Sequence, residues 1–327
     1  MRHILVCLDC SVMSSEVIPY AIALARSFGA HITLLHVLEY QQQDTCIPTD
    51  SFAWEMQKKE ARDYLKNIEE KANRTGVSAS SVVLEGRPAE QIYHWINEHH
   101  VDLTVLSSHG EKGQSQWALA STTQKLIAGM PGSILLVPAT RKAQHESPGL
   151  KRQRLLVPLD GSSWAESAIP FAINIVKEEQ AELMLAHVMP DSGLTHVSPF
   201  DSEASALEEQ IQQYNERVAD HYLSQLKSRL TSTTNIPINT LFIKERGICE
   251  QLRTIIDAEA IDMVVMSAFG DGNHMGNYCG KIAQKFLVGC HVPVLLLRGQ
   301  ALNIDTLTGF KDDQLELAMH MPERAAS

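Results

Sequence analysis

Two aspartates stand where a ligand contact is plausible on chemical grounds. Asp9 and Asp160 each end an apolar run, in LVCLDCS and LVPLDGSS. A carboxylate in that place either accepts hydrogen bonds from a ligand amine or hydroxyl, or caps the turn that follows. A second constellation sets Ser107-Ser108-His109-Gly110 against Ser267-Ala268-Phe269-Gly270, each after an apolar run and ahead of a helical pattern. An apolar strand, a Gly loop and a helix N-terminus together make an anion site from backbone N–H groups. The same residues equally suit a left-handed turn with no ligand. His109 occurs in one copy only and is the histidine best placed to touch a ligand.

Other chemistry-bearing residues read as structural. Cys7-Leu8-Asp9-Cys10 has the spacing of a redox or metal pair, but it straddles a strand end, and the equivalent positions further along hold Pro158 and Gly161. His94 and His99 miss the i, i+4 spacing of helical metal ligands, so they and His100 read as surface histidines. His36 and His187 recur before Val37 and Val188 and read as buried, hydrogen-bonded side chains. Trp117 reads as helix-face packing.

These residues must be positioned by a repeated unit. His3 to Val37 aligns without a gap on Arg154 to Val188, with about 13 of 35 positions identical. DLTVLSSHG from Asp102 then matches DMVVMSAFG from Asp262, and GMPGSILLVP from Gly129 matches GCHVPVLLLR from Gly289. A repeat of this length is a duplicated domain, not a solenoid. We place the first domain at residues 1–140, a polar Pro-Gly linker at 141–153, the second domain at 154–299 and a tail at 300–327, in which Asp312 to Met319 forms a short amphipathic stretch.

Within the first copy, apolar runs predict strands over Ile4 to Leu8, Ile32 to Val37, Val82 to Glu85, Leu103 to Ser107 and Ile134 to Val137. Helical periodicity predicts a helix capped by Ser14 or Ser15 and stopped by Gly29, then helices over Phe52 to Arg74, Pro88 to Glu98 and Gln116 to Ala128. The alternation defines an α/β fold: two repeated doubly wound domains, each with a five-stranded parallel sheet flanked by helices. Such sheets bind ligands beyond the strand C-termini, where Asp9 and Ser107 fall. The last strands, Ile134 to Val137 and Val294 to Leu297, are apolar edges expected to pair with each other in an intramolecular pseudo-dimer.

Bulk properties narrow the partners. The chain of 327 residues has Lys+Arg 28 against Asp+Glu 39, a net charge of −11. That disfavours nucleic acid, which needs a basic face, and supplies no polybasic anchor for anionic lipid. No apolar run approaches the roughly 18 residues of a membrane span. The apolar start ends at Asp9, too early for a signal-peptide core, and the 6 scattered cysteines suit reduced thiols, so a cytoplasmic location is expected.

The paired order of strand, Asp, Gly loop and terminal apolar strand resembles the universal stress protein family, twice over. Its nucleotide-binding members carry Gly-x2-Gly-x9-Gly-Ser/Thr after the fourth strand. Here the first copy reads Ser107-x2-Gly110-x9-Ala120-Ser121 and the second Ser267-x2-Gly270-x9-Gly280-Lys281. The resemblance implies ATP or a related adenine nucleotide, with Mg²⁺ as a possible companion, held in the first copy by Asp9, Val37, Ser107, His109, Gly110, Ala120, Ser121 and Thr122. The corresponding second set is Asp160, Val188, Ser267, Gly270, Gly280 and Lys281. Ala120 keeps Ser121 and Thr122 behind it, whereas Lys281 replaces a hydroxyl by a cation that either pairs with phosphate or points into water. Asp271 adds a repulsive charge. The first copy therefore ranks as the better site.

Three functions are consistent with this reading: a nucleotide-responsive binding module that alters contacts with a protein partner, a structural or partner-binding member that has lost the nucleotide, and a slow ATPase. No general base is identifiable for a γ-phosphate, which places turnover last and leaves no catalytic residue to name. No metal ligand set is assigned. Beyond the intramolecular pseudo-dimer, a further homodimer is left open.

Overall fold

The computed structural model describes residues 1–39, 51–109, 121–139, 154–188, 202–243, 247–270 and 279–299. Gly110, Ala120, Trp117, Asp271, the linker and the tail with its amphipathic stretch lie outside them.

The first half runs β1 (His3–Cys7), α1 (Val12–Ser15), α2 (Ile18–Phe28), β2 (His31–Leu38), α3 (Ser51–Arg74), β3 (Ala79–Glu85), α4 (Pro88–His99), β4 (Leu103–Ser107), α5 (Ser121–Gly129) and β5 (Ser133–Val137). The second repeats the plan: β6 (Arg154–Leu159), α6 (Ser163–Glu166), α7 (Ile169–Glu179), β7 (Glu182–Val188), α8 (Ser202–Thr234), β8 (Ile238–Ile243), α9 (Ile248–Ala258), β9 (Met263–Ser267), α10 (Lys281–Leu287) and β10 (Val294–Leu297). The strands form one sheet in the order β3-β2-β1-β4-β5-β10-β9-β6-β7-β8.

All neighbours are parallel except β5 and β10, which pair antiparallel with Leu135 opposite Leu295. The two apolar runs that would otherwise be bare edges thus cover each other. In each half the chain leaves its first strand toward one edge and later returns to that strand's other side, so β1 lies between β2 and β4. That reversal opens a crevice at the C-terminal ends of β1 and β4, and likewise of β6 and β9.

Alternating strand residues feed two core layers. Ile4, Val6 and Leu34 face a layer that holds Leu24 of α2, Leu65 of α3, Ala172 of α7 and Leu223 of α8. Leu5 and Leu35 face the other, with Ile96 of α4, Leu126 of α5, Leu252 of α9 and Phe286 of α10. Both layers run through both halves.

Two local expectations need correction. Neither Ser14 nor Ser15 caps α2, because both sit inside the separate turn α1. Ser11 caps that turn by accepting the Ser14 N–H at 3.0 Å, as Ser162 accepts from Ala165 at 3.1 Å. α2 then starts behind Val17 with no side-chain cap; Pro19 in its first turn has no N–H to satisfy. β3 begins at Ala79 and not at Val82, since an edge strand paired only with β2 tolerates Ser80 and Ser81.

Candidate functional site

The first crevice is built from the ends of β1, β2 and β4 and the start of α5. Asp9, exposed just past β1, accepts the Ser11 N–H at 3.0 Å and so holds the turn into α1. Its own N–H donates to the Ser14 hydroxyl at 3.3 Å. Val37 lies near the end of β2, half-buried. Behind the crevice the His36 ring is bonded through Nδ1 to the Leu8 carbonyl at 2.7 Å, the buried role expected of it.

After β4 the chain turns tightly. The Ser107 hydroxyl donates to the His109 carbonyl at 2.8 Å, and Ser108, buried, shares a 2.8 Å bond with His109 Nδ1 while accepting the Ala139 N–H at 2.9 Å. The imidazole is therefore fixed from one side. Its Nε2 is buried and has no hydrogen-bond partner among the described residues. Thr123 ties α5 to this turn by donating to the Ser107 carbonyl at 3.1 Å. Ser121, exposed, and Thr122, half-buried, open α5, where helix N–H groups are unsatisfied by the helix itself.

The second crevice has the same frame and a different filling. Asp160 takes the Ser162 N–H at 2.9 Å and its hydroxyl at 2.6 Å. Its other carboxylate oxygen presses on Gly270 so closely that a Cβ there would collide with it. Phe269, at the place of His109, meets Trp164 of α6 edge to face, with centroids 5.7 Å apart. Gly280 precedes α10 and donates its N–H to the Ala268 carbonyl at 2.8 Å. Ser267 is buried at the end of β9, Lys281 is exposed at the start of α10, and Val188 is the last residue of β7. Asp160 and Gly270 are thus brought together, while an aromatic pair stands where the first half has an imidazole.

Two tyrosines at these crevices escape a motif-based reading. Burial, then nearby Cys10 and Asp9, push the Tyr64 phenol up. Tyr222 donates to Glu166 at 2.7 Å; burial first and that carboxylate second push it up further, and Arg229 lies 4.0 Å from the same Glu166. The shared Tyr-Leu of α3 and α8, Tyr64-Leu65 and Tyr222-Leu223, is the signal that finds them.

The CxxC residues Cys7 and Cys10 are both free thiols. Burial drives the Cys7 thiol far up, and burial together with Asp9 raises Cys10 to about 11, so neither is a thiolate at neutral pH. His94, His99 and His100 are exposed, with His99 stacked on Trp95 at 3.6 Å. Among the described residues no group of three or more His, Cys, Asp or Glu is arranged to hold a metal, and no helix is long and apolar enough to cross a membrane.

Repeat, sheet order and paired crevices together define a duplicated α/β fold of a known kind. The model of the universal stress protein family matches residues 1–138 and again 151–298, and the chain belongs to that family with two such domains. The universal stress protein YxiE of Bacillus subtilis is 32% identical over 145 residues, covering 42% of this chain and 98% of that protein. Universal stress protein MJ0531 of Methanocaldococcus jannaschii is 26% identical over 145 residues, covering 43% of this chain and 84% of that protein. A solved universal stress protein from Archaeoglobus fulgidus superposes with a TM-score of 0.62 over 90% of this chain and 98% of its own, at 17% identity, which is a likeness of fold.

Proposed function

We propose that the chain is a nucleotide-responsive binding module that holds one adenine nucleotide, in the first half. The observation that carries this reading is His109. Its Nδ1 is fixed by Ser108 and its Nε2 is buried without a partner among the described residues, at the crevice the sheet order opens. A buried polar atom with no partner costs stability, and a ligand oxygen or nitrogen at that place removes the cost. Ser121, Thr122 and the α5 N-terminus add donors for phosphate, and Asp9 offers a carboxylate at the opposite side for the base or sugar. Mg²⁺ would accompany the phosphates. In the second half Phe269, packed against Trp164, stands at the place of His109 and offers no polar atom to a ligand. That half serves as structural support or as a surface for a protein partner.

ATP titrated calorimetrically into the wild type, Gly110→Asp and Gly270→Asp tests this. A side chain and a negative charge at the first loop should abolish binding, while Gly270→Asp, which collides with Asp160 and lowers stability, should still bind. Loss in Gly270→Asp alone reverses the assignment of the halves. No binding to wild type leaves the partner-binding function.

A further inference from the structure

The C-terminal end of α5 is held by a side chain from the other half. Arg298 directly follows β10 and is buried, although it carries a full positive charge. Its Nη1 donates to the Met130 carbonyl and its Nη2 to the Ile127 carbonyl, and its backbone N–H donates to the Ser133 hydroxyl at 3.2 Å. Within α5 the Leu126 carbonyl is taken by the Met130 N–H. Ile127 is the next carbonyl along, one that a helix end leaves open. A cation placed there also complements the negative end of the helix dipole.

The repeat shows that this contact is specific to one half. α10 is closed from within its own half by Arg253 of α9, which donates to the Val288 carbonyl at 2.6 Å and to that of Lys285 at 3.3 Å. The equivalent of Arg253 on α4 is Tyr93, which has no cation to give, and the equivalent of Arg298 is Pro138, which cannot reach back. At these two places the first half has no clamp of its own, and the second half supplies one. The Cys279 thiol, which donates to the Gly280 carbonyl at 3.6 Å at the start of α10, lies near enough to the same guanidinium for the cation to pull its pKa down against the upward push of burial. Arg298 therefore stands between Cys279, just ahead of α10, and the helix whose first turn lines the first crevice.

We propose that Arg298 is a positioning residue for the first crevice, supplied by the second half, and that it couples Cys279, just ahead of α10, to α5. Where ATP is the readout, this rests on the nucleotide reading above; where backbone exchange is the readout, it stands independently.

Amide hydrogen exchange on the full chain tests it, with Arg298→Met, Arg298→Lys, Cys279→Ala and the Arg298→Met/Cys279→Ala double variant. Arg298→Met should speed exchange in the last turn of α5 about tenfold and leave α10, closed by Arg253, unchanged. Arg298→Lys keeps the charge but not the two-pronged reach, and should rescue in part. Cys279→Ala should alter α5 exchange about two- to threefold when Arg298 is present and not at all in Arg298→Met, the non-additivity of a direct link. ATP affinity should fall several-fold in Arg298→Met and recover partly in Arg298→Lys. Equal acceleration of α5 and α10 in Arg298→Met, or strictly additive effects of Cys279→Ala, overturns the coupling. Absence of ATP binding in wild type alongside a non-additive cycle removes the nucleotide reading and leaves the clamp standing.

Discussion

Cys10 adopts φ 62°, the left-handed region that a residue with a Cβ enters at a cost of roughly 1–2 kcal/mol. Its counterpart Gly161 adopts φ 82°. The turn after the first strand demands this backbone in both halves, and only the second has the residue that accepts it freely. We expect Cys10→Gly to stabilise the protein by about 0.5–1 kcal/mol, the relief of strain less the added freedom of the unfolded glycine. A urea midpoint that stays or falls would show that the thiol's packing near Tyr64 outweighs the strain. Asp9 next to it carries the local bond to Ser11 in either case. The carboxylate is therefore both a turn cap and a candidate ligand contact: the two readings of its sequence position are compatible, since a carboxylate accepts several hydrogen bonds.

At the scale of elements, the halves solve one cross-strand problem in two ways. In the second, Arg154 of β6 pairs with Glu182 of β7 at 3.1 Å and donates to the Glu259 carbonyl behind α9 at 2.9 Å. In the first, the same places hold His3 and His31, with ring centroids 6.0 Å apart. His3 bonds the His99 carbonyl at 3.1 Å and Thr33 at 2.8 Å, while His31 bonds Ser78 and Ser80, each at 2.8 Å. Burial first, and then His3, lower the pKa of His31 against a smaller opposing pull from Glu69. The folded state thus binds fewer protons than the unfolded chain below the unfolded value of about 6.5. The contribution is complete above that pH and is lost as pH falls toward the folded pKa. His187, lowered chiefly by burial, acts in the same direction. Urea midpoints between pH 7.5 and 5.5 should drop for wild type and drop less for His31→Gln; identical slopes would assign the acid sensitivity elsewhere.

Burial on both faces decides which elements are legible in the sequence. β4 and β10 are continuous apolar runs, buried on both faces, and their limits were readable residue by residue. The start of β3 was not, because polar residues on an edge strand carry no apolar signal. Asp9, Asp160 and the Gly loops were visible as repeated motifs at strand ends. Tyr64 and Tyr222 were hidden in long helices whose apolar stripe they merely continue. Arg298 was illegible for a deeper reason: an arginine after a strand looks like an ordinary surface charge, and its partners lie 168 and 171 residues away in sequence.

At the scale of the whole molecule, the two family domains share more than a strand edge. Ile134, Leu135 and Leu295 at the junction are fully buried, and Phe28 of α2 meets Phe171 of α7 at 5.9 Å across it. Both core layers pass through that junction. A half that unfolded alone would strip the other of one side of its last strand and of its α2 or α7 neighbour. The cost of exposing that apolar surface opposes independent opening. The chain should therefore unfold in a single transition despite its size. Phe171→Ala, a deletion in that shared core, should cost about 3–5 kcal/mol and move both halves together. Trp95 reports on the first half and Trp164 on the second. Variants that retain one or the other as the sole tryptophan allow each half to be followed by fluorescence during urea unfolding. Midpoints that coincide in both, before and after Phe171→Ala, are the expected result. Separate midpoints, with only the Trp164 transition shifted by the substitution, would show two domains that touch without sharing a core.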